Sequence, residues 1–111
     1  MGTNAACATV DNRRDLTELL AGAEPIFALF YASWCPFCAK FLPIFEKHAA
    51  DRASRFILVK DDRETMMDAY AVKVFPTVLF FEQGTVSRRL DGIPGVGLDE
   101  ERLTAFLRSC P

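Results

Sequence analysis

Two cysteines, Cys35 and Cys38, are separated by only two residues in the sequence. Thiols at this spacing are typical of two kinds of chemistry, exchange with disulfides and ligation of a zinc ion. A zinc site needs two further ligands, and apart from carboxylates the chain offers only two distant cysteines and one histidine. The spacing therefore favours disulfide exchange, with a zinc site or an inert cysteine pair as the alternatives, and we expect no metal ligands.

The cysteine pair lies where a strand is predicted to pass into a helix. The run Ile26-Phe-Ala-Leu-Phe-Tyr31 is continuously apolar, as in a strand buried on both faces, and a helical pattern begins at the cysteines. The unpaired N–H groups and the macrodipole of a helix N-terminus favour a thiolate. Cys35 is therefore predicted to attack a substrate disulfide, and Cys38, one turn later, to attack Cys35 and release the substrate.

Alternating strand and helix patterns surround this pair. The apolar run is one predicted strand, and the others cover residues 6–10, 56–59, 77–81 and 86–90, the last two joined by the turn Glu82-Gln-Gly84. Predicted helices cover residues 11–20 with Asp11 as cap, the cysteines to about residue 52 with a kink at Pro43, 64–70 and 99–109. The pattern predicts an α/β fold, with a mixed sheet of four to five strands flanked by helices on both faces, in a single domain of residues 1–111.

The composition excludes several classes of function. The 111 residues include 13 Lys and Arg against 15 Asp and Glu, so the net charge is −2. This balance argues against nucleic acid or an anionic membrane as the main partner. No apolar stretch approaches the ~20 residues that span a bilayer, and the first residues lack the pattern of a secretory signal. We therefore expect a cytoplasmic monomer whose cysteines are reduced at rest.

Five motifs together resemble the thioredoxin family over nearly the whole chain. They are Phe30-Tyr-Ala-Ser-Trp-Cys-Pro-Phe-Cys38, Pro43, Phe75-Pro76-Thr77, Glu82-Gln-Gly84 and Asp91-Gly92. The resemblance implies the thioredoxin fold and dithiol–disulfide exchange with protein substrates. It also implies a redox-active Cys35–Cys38 disulfide in place of a bound cofactor, and a thioredoxin-reductase-type flavoenzyme as reductant. A glutaredoxin-like use of glutathione fits the Trp34 context and the chain length less well.

A substrate groove is predicted beside the cysteine pair. A proline that enters a strand is compatible with a trans or a cis bond. The resemblance implies a cis Phe75–Pro76 bond and a Phe75 backbone that pairs with an extended substrate. Trp34 is predicted to form a wall of the groove in preference to packing in the core. The apolar remainder is assigned to Phe37, Phe75, Gly92 and Ile93, with a buried Phe37 as the alternative.

The chain departs from the usual thioredoxin pattern near this site. Typical thioredoxins have a buried aspartate six residues before the first active-site cysteine and a lysine near it on the next strand. Here Leu29 and Ile57 occupy these positions. The joint loss avoids a buried charge without its partner. The candidates left to assist deprotonation of Cys38 are water, Tyr31, Lys60 and Asp61.

The dipeptide between the cysteines is Pro36-Phe37 instead of the usual Gly-Pro. Pro36 suits the first position of a helix. Phe37 keeps the N–H that a proline lacks, so the Cys35 thiolate gains one more potential donor. Because only the reduced form carries a thiolate, we expect a more oxidising protein than a Gly-Pro thioredoxin.

The remaining candidate residues are expected to be structural. Cys7 and Cys110 are predicted to be ordinary thiols, because a bridge between them is disfavoured in a reducing compartment. His48 is predicted to lie at the surface or its boundary, and Asp61-Asp62-Arg63-Glu64 to form a solvated loop and helix start. The rival function is a non-catalytic binding or docking module, which the intact cysteine pair disfavours.

Overall fold

A five-stranded mixed sheet forms the centre of the molecule, in the order β1-β3-β2-β4-β5. The computed structural model describes residues 7–22, 24–50 and 55–111. The strands are β1 (Cys7–Val10), β2 (Ile26–Tyr31), β3 (Arg55–Lys60), β4 (Thr77–Glu82) and β5 (Thr85–Leu90). The helices are α1 (Arg13–Leu20), α2 (Pro36–Ala50) and α3 (Glu100–Ser109). β3 pairs in parallel with β1 and β2, whereas β4 pairs antiparallel with β2 and β5, which confirms the predicted mixed α/β sheet.

The chain connections place the helices on both faces of this sheet. The crossover from β1 to β2 passes over β3, and the crossover from β2 to β3 returns in the opposite direction. Because both crossovers are expected to be right-handed, α1 and α2 lie on opposite faces. α3 contacts α2 and so shares its face. The junction of β2 and α2 therefore lies at the carboxyl end of the central strand, where sites of open α/β sheets usually form.

Phenylalanine side chains fill the core around β2, as the composition indicates. All six residues of β2 are buried. The ring of Phe27 stacks on Phe80 at 4.5 Å between centroids and lies 5.0 Å from Phe56. Phe45 of α2 contacts Phe56 at 5.1 Å. Packing from both faces thus holds the strand that leads into the cysteine pair.

Most predicted elements are confirmed, with small shifts at their ends. The turn Glu82-Gln-Gly84 joins β4 to β5 with positive φ at Gln83 and Gly84, as a type I′ turn requires. α1 begins one residue later than predicted, because the side chain of Asn12 and not Asp11 accepts the Asp15 N–H as the cap. Residues 6 and 51–52, which the predicted first strand and long helix included, lie outside the described residues.

The predicted helix over residues 64–70 is wrong. A single 3-10 turn, Asp68–Tyr70, lies there. Glu64 adopts φ 57°, which interrupts a right-handed helix at its start, and Ala71 adopts φ 55° at its end. The carboxylate of Asp61 binds the N–H groups of Thr65 and Met66, so this segment is held by a side chain instead of a helical ladder.

Candidate active site

The cysteine pair opens α2, as predicted. The helix begins at Pro36, and the carbonyl oxygen of Cys35 accepts the N–H groups of Cys38 and Ala39, each at 3.1 Å. This is the bonding pattern of a residue at the N-cap. Cys35 is 6% exposed and Cys38 1% exposed, so the first thiol lies nearer the surface than the second.

The two thiols are unbridged, and the surroundings of Cys38 oppose its ionisation. No disulfide joins the four cysteines, all of which belong to the described residues. Burial raises the pKa of Cys38 to about 12, a hydrogen bond with the backbone of Ala32 acts in the opposite direction, and Cys35 adds to the rise. The second thiol therefore stays protonated at neutral pH, as a resolving thiol does while the first thiol attacks.

The Phe75–Pro76 loop faces the first thiol. The Sγ of Cys35 donates to the carbonyl oxygen of Phe75 at 3.9 Å, and the Phe75–Pro76 bond is cis, as the resemblance implied. Thr77 fixes the loop, since its hydroxyl donates to Val74 at 2.7 Å and accepts the Gly92 N–H at 3.2 Å. The loop is thus held beside Cys35.

Gly92 allows this loop to approach the chain that follows β5. A Cβ atom on Gly92 would lie far inside van der Waals distance of the Pro76 carbonyl oxygen. Gly92 is buried, and the side chain of the neighbouring Ile93 is half-buried. Both predicted groove residues therefore lie beside Pro76, although Gly92 acts there by its lack of a side chain.

Exposed apolar side chains lie next to Cys35 in the sequence and beside Phe37 in space. We define the apolar rim as Trp34, Phe37 and Val96, which are 57%, 37% and 56% exposed and are the exposed large hydrophobic residues of the described part of the chain. Trp34 packs against Phe75 with 6.0 Å between ring centroids. Phe37 packs over Gly97, and Val96 is the residue before Gly97, so Val96 lies near Phe37.

The apolar rim contains some, but not all, of the predicted groove residues. The exposure of Trp34 and Phe37 confirms a surface position for both, and the buried alternative for Phe37 is excluded. Phe75 is 6% exposed, so it offers its backbone and little of its ring. Val96 was not predicted, because the sequence Gly95-Val96-Gly97 indicates only a turn. The two glycines that flank Val96 were the available sequence signal, and both adopt positive φ in the structure.

A second residue that the sequence did not single out, Asp62, positions the loop before Cys35. Its carboxylate accepts the N–H of Ser33 at 2.7 Å and the Ser33 hydroxyl at 2.6 Å. Its backbone carbonyl accepts the Trp34 Nε1–H at 3.0 Å. The Ser33 hydrogen bonds hold the pKa of Asp62 below its usual value, with a smaller effect of Lys60. We call this arrangement the Asp62 clamp.

The prediction of a solvated loop at residues 61–64 is wrong for its first residue. Asp61 is 2% exposed, because its two oxygens satisfy the Thr65 and Met66 N–H groups inside the loop. Asp62, next to it, is turned toward the cysteine loop instead. The chain turns at this point, where the Glu64 N–H donates to the Asp61 carbonyl oxygen at 3.0 Å, and the two adjacent carboxylates bind different partners.

The region below the cysteines is apolar. The register of the parallel strands corrects the predicted position of the residue that replaces the usual lysine. Leu29 pairs with Leu58, whereas Ile57 pairs with Ala28. Paired residues point to the same face of a sheet, so the neighbour of Leu29 on its own face is Leu58. The predicted correspondence with Ile57 is therefore off by one residue. All four side chains are apolar and buried, so no ion pair exists beneath Cys38 at this point.

The other titratable candidates lie away from the cysteine pair. Cys7 is half-buried on β1, where burial and then Glu46 raise its pKa to about 11. Cys110 follows α3 and is half-buried. His48 is half-buried, as predicted, and its Nε2 lies 2.9 Å from Glu100, which also binds Lys47 at 2.7 Å.

The five-stranded mixed sheet with three helices is the thioredoxin fold. The solved structure of Fasciola hepatica thioredoxin superposes with a TM-score of 0.77 at 25% identity, over 91% of this chain and 96% of that one. The Thioredoxin family model matches residues 8–109. The chain belongs to the thioredoxin family.

Curated relatives fall into two groups. The chain is 32% identical over 96 residues to thioredoxin of Acidithiobacillus ferridurans, covering 84% of this chain and 85% of that protein. It is 35% identical over 81 residues to protein disulfide-isomerase A5 of Bos taurus, covering 68% of this chain and 16% of that longer protein. The chain therefore spans most of the length of the thioredoxin relative but only a small part of the disulfide-isomerase relative.

Among the described residues, the longest helix is α2, with 15 residues. None of their helices is both long enough and apolar enough to cross a bilayer.

Proposed function

We propose that this protein is a dithiol–disulfide oxidoreductase that reduces or exchanges disulfides of protein substrates, with Cys35 as nucleophile and Cys38 as resolving thiol. One observation carries the proposal. Cys35 opens α2 with Cys38 one turn behind it, and its Sγ lies 3.9 Å from the carbonyl oxygen of Phe75. A backbone that faces the reacting sulfur is suited to pair with an extended substrate segment.

The reaction balances without a bound cofactor. The Cys35 thiolate attacks one substrate sulfur, which forms a mixed disulfide and releases the other substrate sulfur as a thiolate. The Cys38 sulfur then attacks Cys35, the Cys35–Cys38 bond forms, and the bond to the substrate breaks. Two electrons pass to the substrate, and two protons from the dithiol and solvent end on its thiols. A thioredoxin-reductase-type flavoenzyme is the proposed source of electrons for the next turnover.

The apolar rim supports substrate recognition by contact instead of long-range charge. Trp34, Phe37 and Val96 present apolar surface around Cys35, while the net charge of the chain is only −2. Trp34, Phe75, Pro76, Gly92 and Ile93 remain the proposed substrate-binding residues. We further propose that the protein acts as a cytoplasmic monomer, where a reducing environment regenerates its dithiol.

Catalysis of insulin reduction by dithiothreitol tests this function. The protein is expected to accelerate the precipitation of insulin B chains, and Cys35→Ser to abolish the acceleration because no thiolate remains to attack. Cys7→Ser, which removes a thiol outside the site, is the matched control and is expected to keep full activity. Absence of catalysis by the parent protein, or its persistence in Cys35→Ser, would favour the docking-module alternative.

We also propose that the Pro36-Phe37 dipeptide makes the protein more oxidising than a Gly-Pro thioredoxin. The Cys35 amide donates to Ala32, its carbonyl accepts from Cys38 and Ala39, and its thiol donates to Phe75. The Phe37 N–H is an added donor for the thiolate of the reduced form, and support equal to one pKa unit corresponds to about 1.4 kcal/mol, or roughly 30 mV for two electrons.

Equilibration with glutathione buffers measures this effect. The double variant Pro36→Gly/Phe37→Pro is expected to lower the reduction potential by roughly 30 mV. Phe37→Leu keeps the N–H and changes only the side chain, so it serves as the matched control and is expected to stay near the parent value. An unchanged or higher potential in the double variant would contradict the role of the N–H.

A further inference from the structure

A cavity of about 270 Å³ borders the resolving cysteine. Cys38 and Ala39 line it from α2, Tyr31 lines it from the end of β2, and Lys60 lines it from the end of β3. A space of this size has room for several water molecules. Cys38 is 1% exposed, yet it borders a space that water can reach.

Tyr31, which lines this space, carries a hydroxyl group. Within the described residues, no group is hydrogen-bonded to that hydroxyl, and no buried side-chain polar atom is left without a partner. The hydroxyl is therefore open to water, and Tyr31 is one of the residues that line the cavity. Burial raises the pKa of Tyr31, and Asp62, Glu46 and Cys38 add to the rise. The group thus remains a neutral O–H donor at neutral pH.

The charged groups near the cavity are less suited than a neutral hydroxyl to stabilise negative charge on Cys38. Glu46 on α2 and Asp62 after β3 are carboxylates, which oppose further negative charge nearby. Lys60 lines the cavity, but its Nζ lies 4.0 Å from Asp62, so its charge is partly offset. Cys35 carries no charge while it is in a mixed disulfide. Ser33 also lines the cavity, but its hydroxyl donates to Asp62 at 2.6 Å. Tyr31 therefore supplies the lining hydroxyl that has no hydrogen-bond partner among the described residues.

We propose that the Tyr31 hydroxyl, through water in this cavity, donates a hydrogen bond that stabilises the Cys38 thiolate during the resolving step. This inference rests on the proposed function. In that step the Cys38 proton passes to cavity water, and the thiolate attacks Cys35 Sγ. The Cys35–Cys38 bond forms as the Cys35–substrate bond breaks, and the substrate leaves as a thiolate that takes a proton from solvent. Tyr31 acts through water, so it is a positioning residue.

Stopped-flow reaction of the reduced protein with dithiobis(nitrobenzoate) separates the two steps. The first release of nitrothiobenzoate depends on reagent concentration and reports attack by Cys35. The second is unimolecular and reports attack by Cys38. Tyr31→Phe is expected to slow only the second phase near neutral pH, by about three- to tenfold. The thiolate fraction falls about tenfold per pKa unit, and the higher nucleophilicity of a more basic thiolate restores roughly half of this on a logarithmic scale.

Tyr70→Phe is the matched control. Tyr70 is the other tyrosine of the chain, and its ring packs against Phe30 and Phe81. It is expected to leave both phases unchanged. If Tyr31→Phe does not fold, Ala39→Leu tests the same space from an exposed helical position, because a leucine there fills the cavity and should also slow the second phase alone.

The Cβ chemical shift of Cys38, followed against pH in a Cys35→Ser background, gives a readout independent of turnover. Tyr31→Phe is expected to move the titration midpoint upward. An unmoved midpoint, or equal slowing of both stopped-flow phases, would overturn the inference, as would an unchanged second phase in Ala39→Leu. A missing first phase in the parent protein would instead contradict the proposed function, and the chemical-shift titration would still decide the role of Tyr31.

Discussion

Cys7 opens one strand of the sheet and Cys35 follows another, and the surroundings of the two thiols differ. Cys35 lies at the carboxyl end of the central strand and at the N-terminus of α2, with the Phe75 carbonyl facing its sulfur. Cys7 opens the edge strand β1, where burial and Glu46 raise its pKa to about 11. The backbone groups of a helix N-terminus support negative charge, whereas a half-buried strand position beside a carboxylate opposes it.

Because the residue type is the same, we expect the surroundings to determine which of the two thiols reacts. Contacts with distant parts of the chain also hold the region around Cys35. The Asp62 clamp fixes the residues before the cysteine, and Gly92 lets the Pro76 loop approach. Nothing comparable faces Cys7 among the contacts that the described residues make. Three experiments test this comparison.

The largest expected difference is in alkylation rate. A thiol with a pKa of about 11, such as Cys7, has roughly one thiolate in ten thousand at pH 7. We expect iodoacetamide to modify Cys35 at least about a hundredfold faster than Cys7 in the reduced protein. Peptide mass spectrometry over a time course measures both rates, with Cys35→Ser as the control for the Cys7 rate. Comparable alkylation rates at Cys35 and Cys7 would contradict the expected difference in reactivity.

A methyl group added to Gly92 tests how closely the site is packed. A Cβ atom there would overlap the Pro76 carbonyl oxygen, so Gly92→Ala is expected to lower the free energy of unfolding by about 3 kcal/mol. Gly22, which has nothing within 4 Å of such an atom, is the matched control, and Gly22→Ala is expected to change stability by less than about 0.5 kcal/mol. Urea denaturation measures both free energies of unfolding. Equal effects would show that the close approach of Gly92 to Pro76 does not contribute to stability.

The smallest expected effect is optical. Trp34 is the only tryptophan of the chain, so its fluorescence reports the Asp62 clamp. Hydrogen bonds from Ser33 lower the pKa of Asp62. The clamp is therefore fully formed above the usual pKa of an aspartate and is lost as pH falls through the lowered value. We expect a fluorescence step at a pH below the ordinary aspartate range, with circular dichroism confirming that the fold persists.

Asp62→Asn is the control for that step. It removes the titrating group, so the acid step should disappear while Trp34 remains in place. The same variant is expected to reduce insulin-reduction activity by only a few-fold, because the clamp is exposed and its hydrogen bonds are screened by water. A step that persists in Asp62→Asn would assign it to another carboxylate.

The order of the elements could be predicted from sequence, because buried strands, helix patterns and turn residues each carry a local signal. β2 is a continuous apolar run, and Gln83-Gly84 has the composition of its turn. The cysteine pair could be placed at a helix start for the same reason. The mixed sheet, with helices on both faces, followed from this alternation.

The details that failed depend on contacts between distant residues. Asp61 and Asp62 have the same side chain, and only the fold decides that one is buried among its neighbours while the other reaches Ser33, 29 residues away. The position of Leu58 beside Leu29 required the strand register. Val96 is exposed beside Phe37 only because Gly97 lets that ring approach.

The adjacent carboxylates after β3 limit how this family of sequences can vary in length. Asp61 must remain inside the loop and Asp62 must reach Ser33, and both depend on where β3 ends. A single inserted or deleted residue between Lys60 and Thr65 would change the turn that Asp61 and Glu64 close, and so separate at least one carboxylate from its partners. In homologues that keep both aspartates, length changes should therefore fall outside this segment, even though loops generally tolerate them.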